Sequence, residues 1–89
     1  MLITVEQASP EKLTQLGVSS WPTWSKEVAE FPWTYSSRET AYILEGEATV
    51  TPDGGVPVRF KKGDLVVFPS GMSCMWRVEK TLLKHYRFD

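Results

Sequence analysis

The chain has 89 residues, a formal net charge of −1 and an apolar share of 42%. Such a chain makes one domain with a thin core, so large aromatic side chains and self-association are both expected to help stabilise it. Charges of both signs are interspersed without a basic stripe, which argues against nucleic-acid binding, and no run approaches the roughly 20 apolar residues of a membrane-spanning helix.

The opening MLITVEQASPEKL has no basic region ahead of a long apolar run, so it does not read as a secretory signal. Cys74 is the single cysteine, which precludes an internal disulfide and suits a reducing compartment. A soluble cytoplasmic protein is the expectation. Within this opening, ITVEQ predicts a short strand with Ile3 and Val5 on one face. SPEKLTQLGV predicts a short helix. Ser9 caps it, Pro10 suits its first position, Glu11 meets the positive end and Gly17 stops it.

WPTWSKEVAEFPWTY reads as extended, because Pro22 and Pro32 oppose a long helix. Alternation sets Glu27, Ala29, Phe31, Trp33 and Tyr35 on one face, and Pro32 marks an edge strand or a bulge. ETAYILEGEATV is a strand in which Gly46 predicts a bulge or bend. TPDGG is a turn, VPVRF the returning strand and KKGD a second turn. LVVFP is a continuous apolar run, as in a strand buried on both faces. FPSG suits a type I turn, and MSCMWRV and LLKHYRF complete the strands. Several short strands punctuated by turns predict an all-β sandwich or barrel. An SH3-like or OB barrel satisfies the same pattern. No linker or repeat is visible, so residues 1–89 form a single domain.

The spacing of particular residues resembles the cupin superfamily of small jelly-roll barrels. Its second motif is glycine, five residues, Pro-x-Gly, two residues, histidine, three residues, asparagine. Here Gly63, Pro69 and Gly71 match, Cys74 takes the histidine position and Val78 the asparagine position. Its first motif is His-x-His, three or four residues, glutamate, six residues, glycine. Glu39 and Gly46 match it, with Trp33 and Tyr35 in the two histidine positions. The motifs span about residues 33–78. The frame W-x-x-W…E-F-x-W-x-Y…E…Y-I-L-E-G…G-D-L-V-x-F-P-x-G-x-x-C-x-W is similar to small single-domain cupins grouped with ureidoglycine aminohydrolase. The enzyme that names this group is a metal-dependent hydrolase of two cupins, whereas this chain holds one.

The resemblance implies an all-β, RmlC-like jelly roll: an antiparallel barrel with a short N-terminal helix. It also implies a divalent metal on three imidazoles and a carboxylate. Of those donors only Glu39 keeps its type. Tyr35 as a phenolate and Cys74 as a thiolate are weak substitutes, and Trp33 offers no lone pair. No cofactor is therefore expected, and a divalent metal on Glu39, Tyr35 and Cys74 is the alternative.

The replacements predict an aromatic-walled pocket around one acid. Strand parity puts Met72, Cys74 and Trp76 on one face, with Trp33 and Tyr35 facing them across the barrel and Glu39 between. A desolvated Glu39 is a candidate general acid or base. The plainer readings are a core role for Trp33 and Trp76 and an inert buried thiol at Cys74. For Glu39 the plainer reading is a salt bridge to Arg38, Arg77 or Lys84, or exposure at the barrel mouth. In LLKHYRF the more aromatic face, Leu82, Lys84, Tyr86 and Phe88, predicts the core side and turns His85 outward or to an interface. Trp21 and Trp24 precede the barrel motifs. They either pair as an arm with a second subunit in a two-fold homodimer, the expected assembly, or fold back on their own barrel.

Two functions compete. The first is an enzyme in which Glu39 moves a proton on a small organic molecule held by Trp33, Tyr35, Cys74 and Trp76. The second is a non-catalytic binding or sensing module that has lost the metal site. An amine, amide or sugar-like ligand suits a lone carboxylate among aromatics.

Overall fold

The computed structural model describes residues 2–89. Strand β1 (Thr4–Gln7) leads into helix α1 (Pro10–Leu16) and a short 3-10 turn (Val18–Ser20). Six strands follow: β2 (Thr23–Lys26), β3 (Ala29–Thr34), β4 (Glu39–Pro52), β5 (Val58–Lys61), β6 (Asp64–Phe68) and β7 (Ser73–Phe88). All strand pairs are antiparallel. Sheet order is β1-β6-β4-β7-β2, with β5 also on β4 and β3 also on β7. The chain is thus the predicted all-β antiparallel barrel with one short N-terminal helix.

Two long strands organise the barrel. Strands β4 and β7 pair from Glu39 opposite Phe88 to Pro52 opposite Cys74, with shifts of register between Ile43 and Ala48. Those shifts let each strand bend and serve two neighbourhoods. The first half of β4 takes β6 on its other edge and the second half takes β5. Strand β7 likewise takes β3 along Ser73–Val78 and β2 along Leu82–His85. The bend needs Gly46, whose φ is +93°. A Cβ there would lie 2.2 Å from the Thr81 carbonyl oxygen and 2.7 Å from that of Lys80.

Local chemistry sets the helix ends as predicted. The Ser9 hydroxyl accepts from the Lys12 backbone N–H at 3.2 Å, and Gly17 closes the helix with a φ of +71°. In β6, Leu65, Val66 and Phe68 are buried, as the apolar run implied. Tyr35, Ile43, Val50, Phe60, Phe68, Trp76 and Leu82 form the core. Phe60 meets the Trp76 ring edge-on at 5.5 Å, and Tyr35 stacks on Phe68 at 5.2 Å.

Four expectations are refined or corrected. The aromatic segment is two strands, and Glu27 and Val28 are exposed between them. Pro32 is exposed on β3, whose pairing partner among the described residues is β7 alone, which makes β3 the edge strand that this proline suggested. Trp33 and Tyr35 do not face Cys74 and Trp76 across the barrel. Trp33 lies opposite Cys74 in the adjacent strand and Phe31 opposite Trp76, so these side chains are lateral neighbours on one sheet face. Strand β2 pairs with this chain's own β7, and Trp21 is buried.

Candidate functional site

Strand β4 enters the barrel at Glu39. Its carboxylate is inside, as the motif spacing predicted, and its partner is Lys84, one of the three basic residues weighed for it. In the β4–β7 ladder Lys84 lies opposite Ile43, and its long side chain runs along the interior towards Glu39. Lys84 Nζ donates to Glu39 Oε2 at 2.6 Å, with 7% and 2% of the two side chains exposed. The ammonium also lies 4.8 Å from the Trp24 ring centre and 4.8 Å from that of Trp76. Indole faces stabilise a cation at such distances. Burial is the larger influence on the ammonium and pulls its pKa below the ordinary lysine value, while the Glu39 charge acts against that shift.

The pair borders a cavity of about 520 Å³. Its lining includes Trp24, Phe31, Trp33, Tyr35, Trp76 and Tyr86, with Lys26 and Phe88 also contributing. A mostly apolar hollow with a few convergent polar groups suits a small organic molecule. Backbone bonds across the Pro69–Gly71 turn hold Tyr35 in place. Tyr35 N–H donates to the Met72 carbonyl at 2.8 Å, and Gly71 N–H to the Tyr35 carbonyl at 2.7 Å. Burial first, and then the neighbouring Glu39 charge, keep the Tyr35 phenol protonated well above its usual range.

Four of the five residues singled out from the sequence line this cavity: Trp33, Tyr35, Glu39 and Trp76. Trp33 is half exposed. Trp76 is both wall and core, stacked on Phe31 at a centroid distance of 6.0 Å. Cys74 is not among the lining residues. Its thiol is buried and lies 3.4 Å from the Trp33 carbonyl oxygen, to which it donates. Burial pushes its pKa up to about 11. His85 turns to the barrel exterior side, with Nδ1 2.9 Å from the Trp21 carbonyl oxygen. Trp24, Phe31, Tyr86 and Lys84 were not assigned to the pocket from sequence. For Lys84 the signal was present in the inward parity of Leu82, Lys84 and Tyr86.

The resemblance to cupins implies a metal, for which the candidate donors are Glu39, Tyr35 and Cys74. Glu39 is already bonded to an ammonium. Tyr35 and Cys74 hold their protons in this environment, and Cys74 stands outside the cavity lining. Among the described residues no cluster of three or more His, Cys, Asp or Glu side chains is arranged to hold a metal. The residues present therefore do not fit the implied metal.

A family model described as the EutQ-like cupin domain matches residues 13–86. A DUF861 family protein from Thermotoga maritima is 46% identical, with a TM-score of 0.97 over 99% of this chain and 100% of that one. The EutQ protein of Clostridium difficile is 23% identical, with a TM-score of 0.68 over 74% of this chain and 52% of that one. A DUF861 family protein from Pseudomonas syringae is 20% identical, with a TM-score of 0.68 over 75% of this chain and 29% of that one. The last two similarities concern the fold. No curated protein matches the chain.

Proposed function

The chain belongs to the EutQ-like cupin domain family, and on that footing we propose that its barrel binds a small organic molecule against the Glu39–Lys84 pair. The observation that carries this reading is the buried 2.6 Å ion pair bordering an aromatic cavity of about 520 Å³. A buried ion pair adds little net stability compared with apolar packing, so its placement beside a hollow supports a role in recognition. In the catalytic form of this reading Glu39 moves a proton on the bound molecule, and the aromatic walls supply contact area. Because Lys84 already neutralises Glu39, the pair suits a neutral polar group better than the amine expected for a lone carboxylate. A narrower kinship with the ureidoglycine aminohydrolase group rests on the sequence frame alone.

A non-catalytic binding module is the second reading. The loss of the metal-donor set favours it. Both readings require the cavity to bind.

Benzyl alcohol, an aromatic ring with one neutral polar group, is a suitable probe. Titrated into uniformly ¹⁵N-labelled protein, it is expected to shift the indole N–H signals of Trp24, Trp33 and Trp76 in a saturable manner, leaving Trp21 unmoved. Shifts scattered over the surface, or none at these three indoles, would overturn the binding reading.

A further inference from the structure

We infer that Lys84 is a reactive amine that forms an imine with an aldehyde or ketone entering the cavity. This inference deepens the binding reading and rests on it, since the carbonyl compound must first occupy the same hollow.

The argument begins with placement. The chain has six lysines. Lys26 and Lys61 are exposed, and 44% of the Lys12 side chain and 69% of those of Lys62 and Lys80 are exposed. Lys84 alone is buried, and it borders a cavity large enough for a small arene. A lysine removed from water and placed in an apolar pocket is the usual setting for amine nucleophiles, because desolvation favours the neutral form that carries the lone pair.

The second element is a proton acceptor in contact. Lys84 Nζ and Glu39 Oε2 are 2.6 Å apart. Passing one proton along that bond turns ammonium and carboxylate into amine and carboxylic acid. It thereby removes a separated charge pair from a low-dielectric site. A ligand that displaces water from the cavity pushes the balance further the same way.

The chemistry then closes without any outside reagent. The Lys84 nitrogen lone pair adds to the carbonyl carbon, forming the C–N bond while the C=O π pair moves onto oxygen. That oxygen takes the proton from the Glu39 carboxyl group. The nitrogen, now carrying one proton too many, returns it to the Glu39 carboxylate and leaves a neutral carbinolamine. Glu39 protonates the departing hydroxyl group, water leaves, and the nitrogen lone pair completes the C=N bond. The product is a protonated imine beside the Glu39 carboxylate, so one positive and one negative charge are present at the start and at the end. The indole faces of Trp24 and Trp76 that flank the ammonium also suit the iminium cation.

The test is reductive trapping on the unaltered protein. Benzaldehyde is supplied with sodium cyanoborohydride, which reduces the imine to a stable benzylamine, and peptide mapping by mass spectrometry gives the labelling rate of each lysine. Lys84 is expected to label at least about tenfold faster than the mean of the other five, as for other desolvated amine nucleophiles. Benzyl alcohol is expected to slow labelling most at Lys84, to a smaller extent at Lys26 on the rim of the same cavity, and at none of the other four lysines. If Lys84 labels no faster than the exposed lysines while benzyl alcohol still shifts the cavity indoles, the imine inference falls and the binding reading stands. If benzyl alcohol shifts none of those indoles and Lys84 labels no faster, both fall. If Lys84 labels fast but benzyl alcohol does not slow it, reaction in the cavity is excluded and the inference falls.

Discussion

Removing the Lys84 ammonium leaves the Glu39 carboxylate buried without its cation. Truncating one member of a buried pair typically costs about 3–5 kcal/mol, whereas replacing both with apolar groups of similar size is often neutral. Lys84→Met is therefore expected to lower stability by that amount in urea unfolding. Glu39→Leu combined with Lys84→Met is expected to recover most of it, and to lose benzyl alcohol binding at the indoles. A Lys84→Met variant as stable as the parent would show that the carboxylate finds water or another donor, and the pair would lose its standing as the polar centre of the cavity. The two halves of this pair were unequally visible in the sequence. Glu39 stands in a motif whose spacing ties it to the barrel interior. Lys84 stands in a strand where period-two alternation gives its face, but not which of the inward carboxylates it reaches.

At the scale of elements, the turns were the most legible part. Ser9, Pro10 and Gly17 set the ends of α1 by chemistry confined to a few residues, and the Pro69–Gly71 turn likewise follows from its own residues. Alternation also put Met72, Cys74 and Trp76 on one buried face, as observed. It did not say which strand lies beside which. Placing Trp33 across the barrel from Cys74 failed because parity fixes a face, whereas adjacency depends on long-range pairing between β3 and β7. Cys74 illustrates the same limit: its inward face was read correctly, but its thiol meets the Trp33 backbone and not the hollow. The bend in β4 joins the two scales. Gly46→Ala would put a methyl group 2.2 Å from the Thr81 carbonyl oxygen at a φ of +93°. Strained left-handed backbone alone costs about 1–3 kcal/mol, and relieving the clash must move β7 as well. Thermal denaturation should show Gly46→Ala among the most destabilised single substitutions in the chain, at about 3 kcal/mol or more. A variant that melts with the parent would mean that the β4–β7 register shift is not needed for the barrel.

For the whole molecule, burial of three titratable groups makes stability depend on alkaline pH, and the signs differ. Cys74 holds its proton up to about 11 in the fold against an ordinary 9.0. Between those values the unfolded chain has released the proton and the folded one has not, so stability falls as pH rises. Tyr35, raised well above its ordinary 10.0, acts in the same direction once the unfolded phenol begins to ionise. Lys84 acts oppositely. Its folded pKa lies below 10.5, so between the folded and unfolded values the unfolded state binds the additional proton and stability rises with pH. Each group acting alone contributes a slope of up to about 1.4 kcal/mol per pH unit. With two groups against one, the barrel is expected to lose stability between about pH 9 and 11. Urea midpoints measured across that range check the direction. Cys74→Ala should flatten the decline, because it removes one destabilising titration whatever its separate cost in packing. Lys84→Met should steepen it, because it removes the opposing one. Stability that rises over the same range, or a slope unchanged in Cys74→Ala, would show that the thiol is in contact with water, and the dry interior that also holds Glu39 and Lys84 would have to be redrawn.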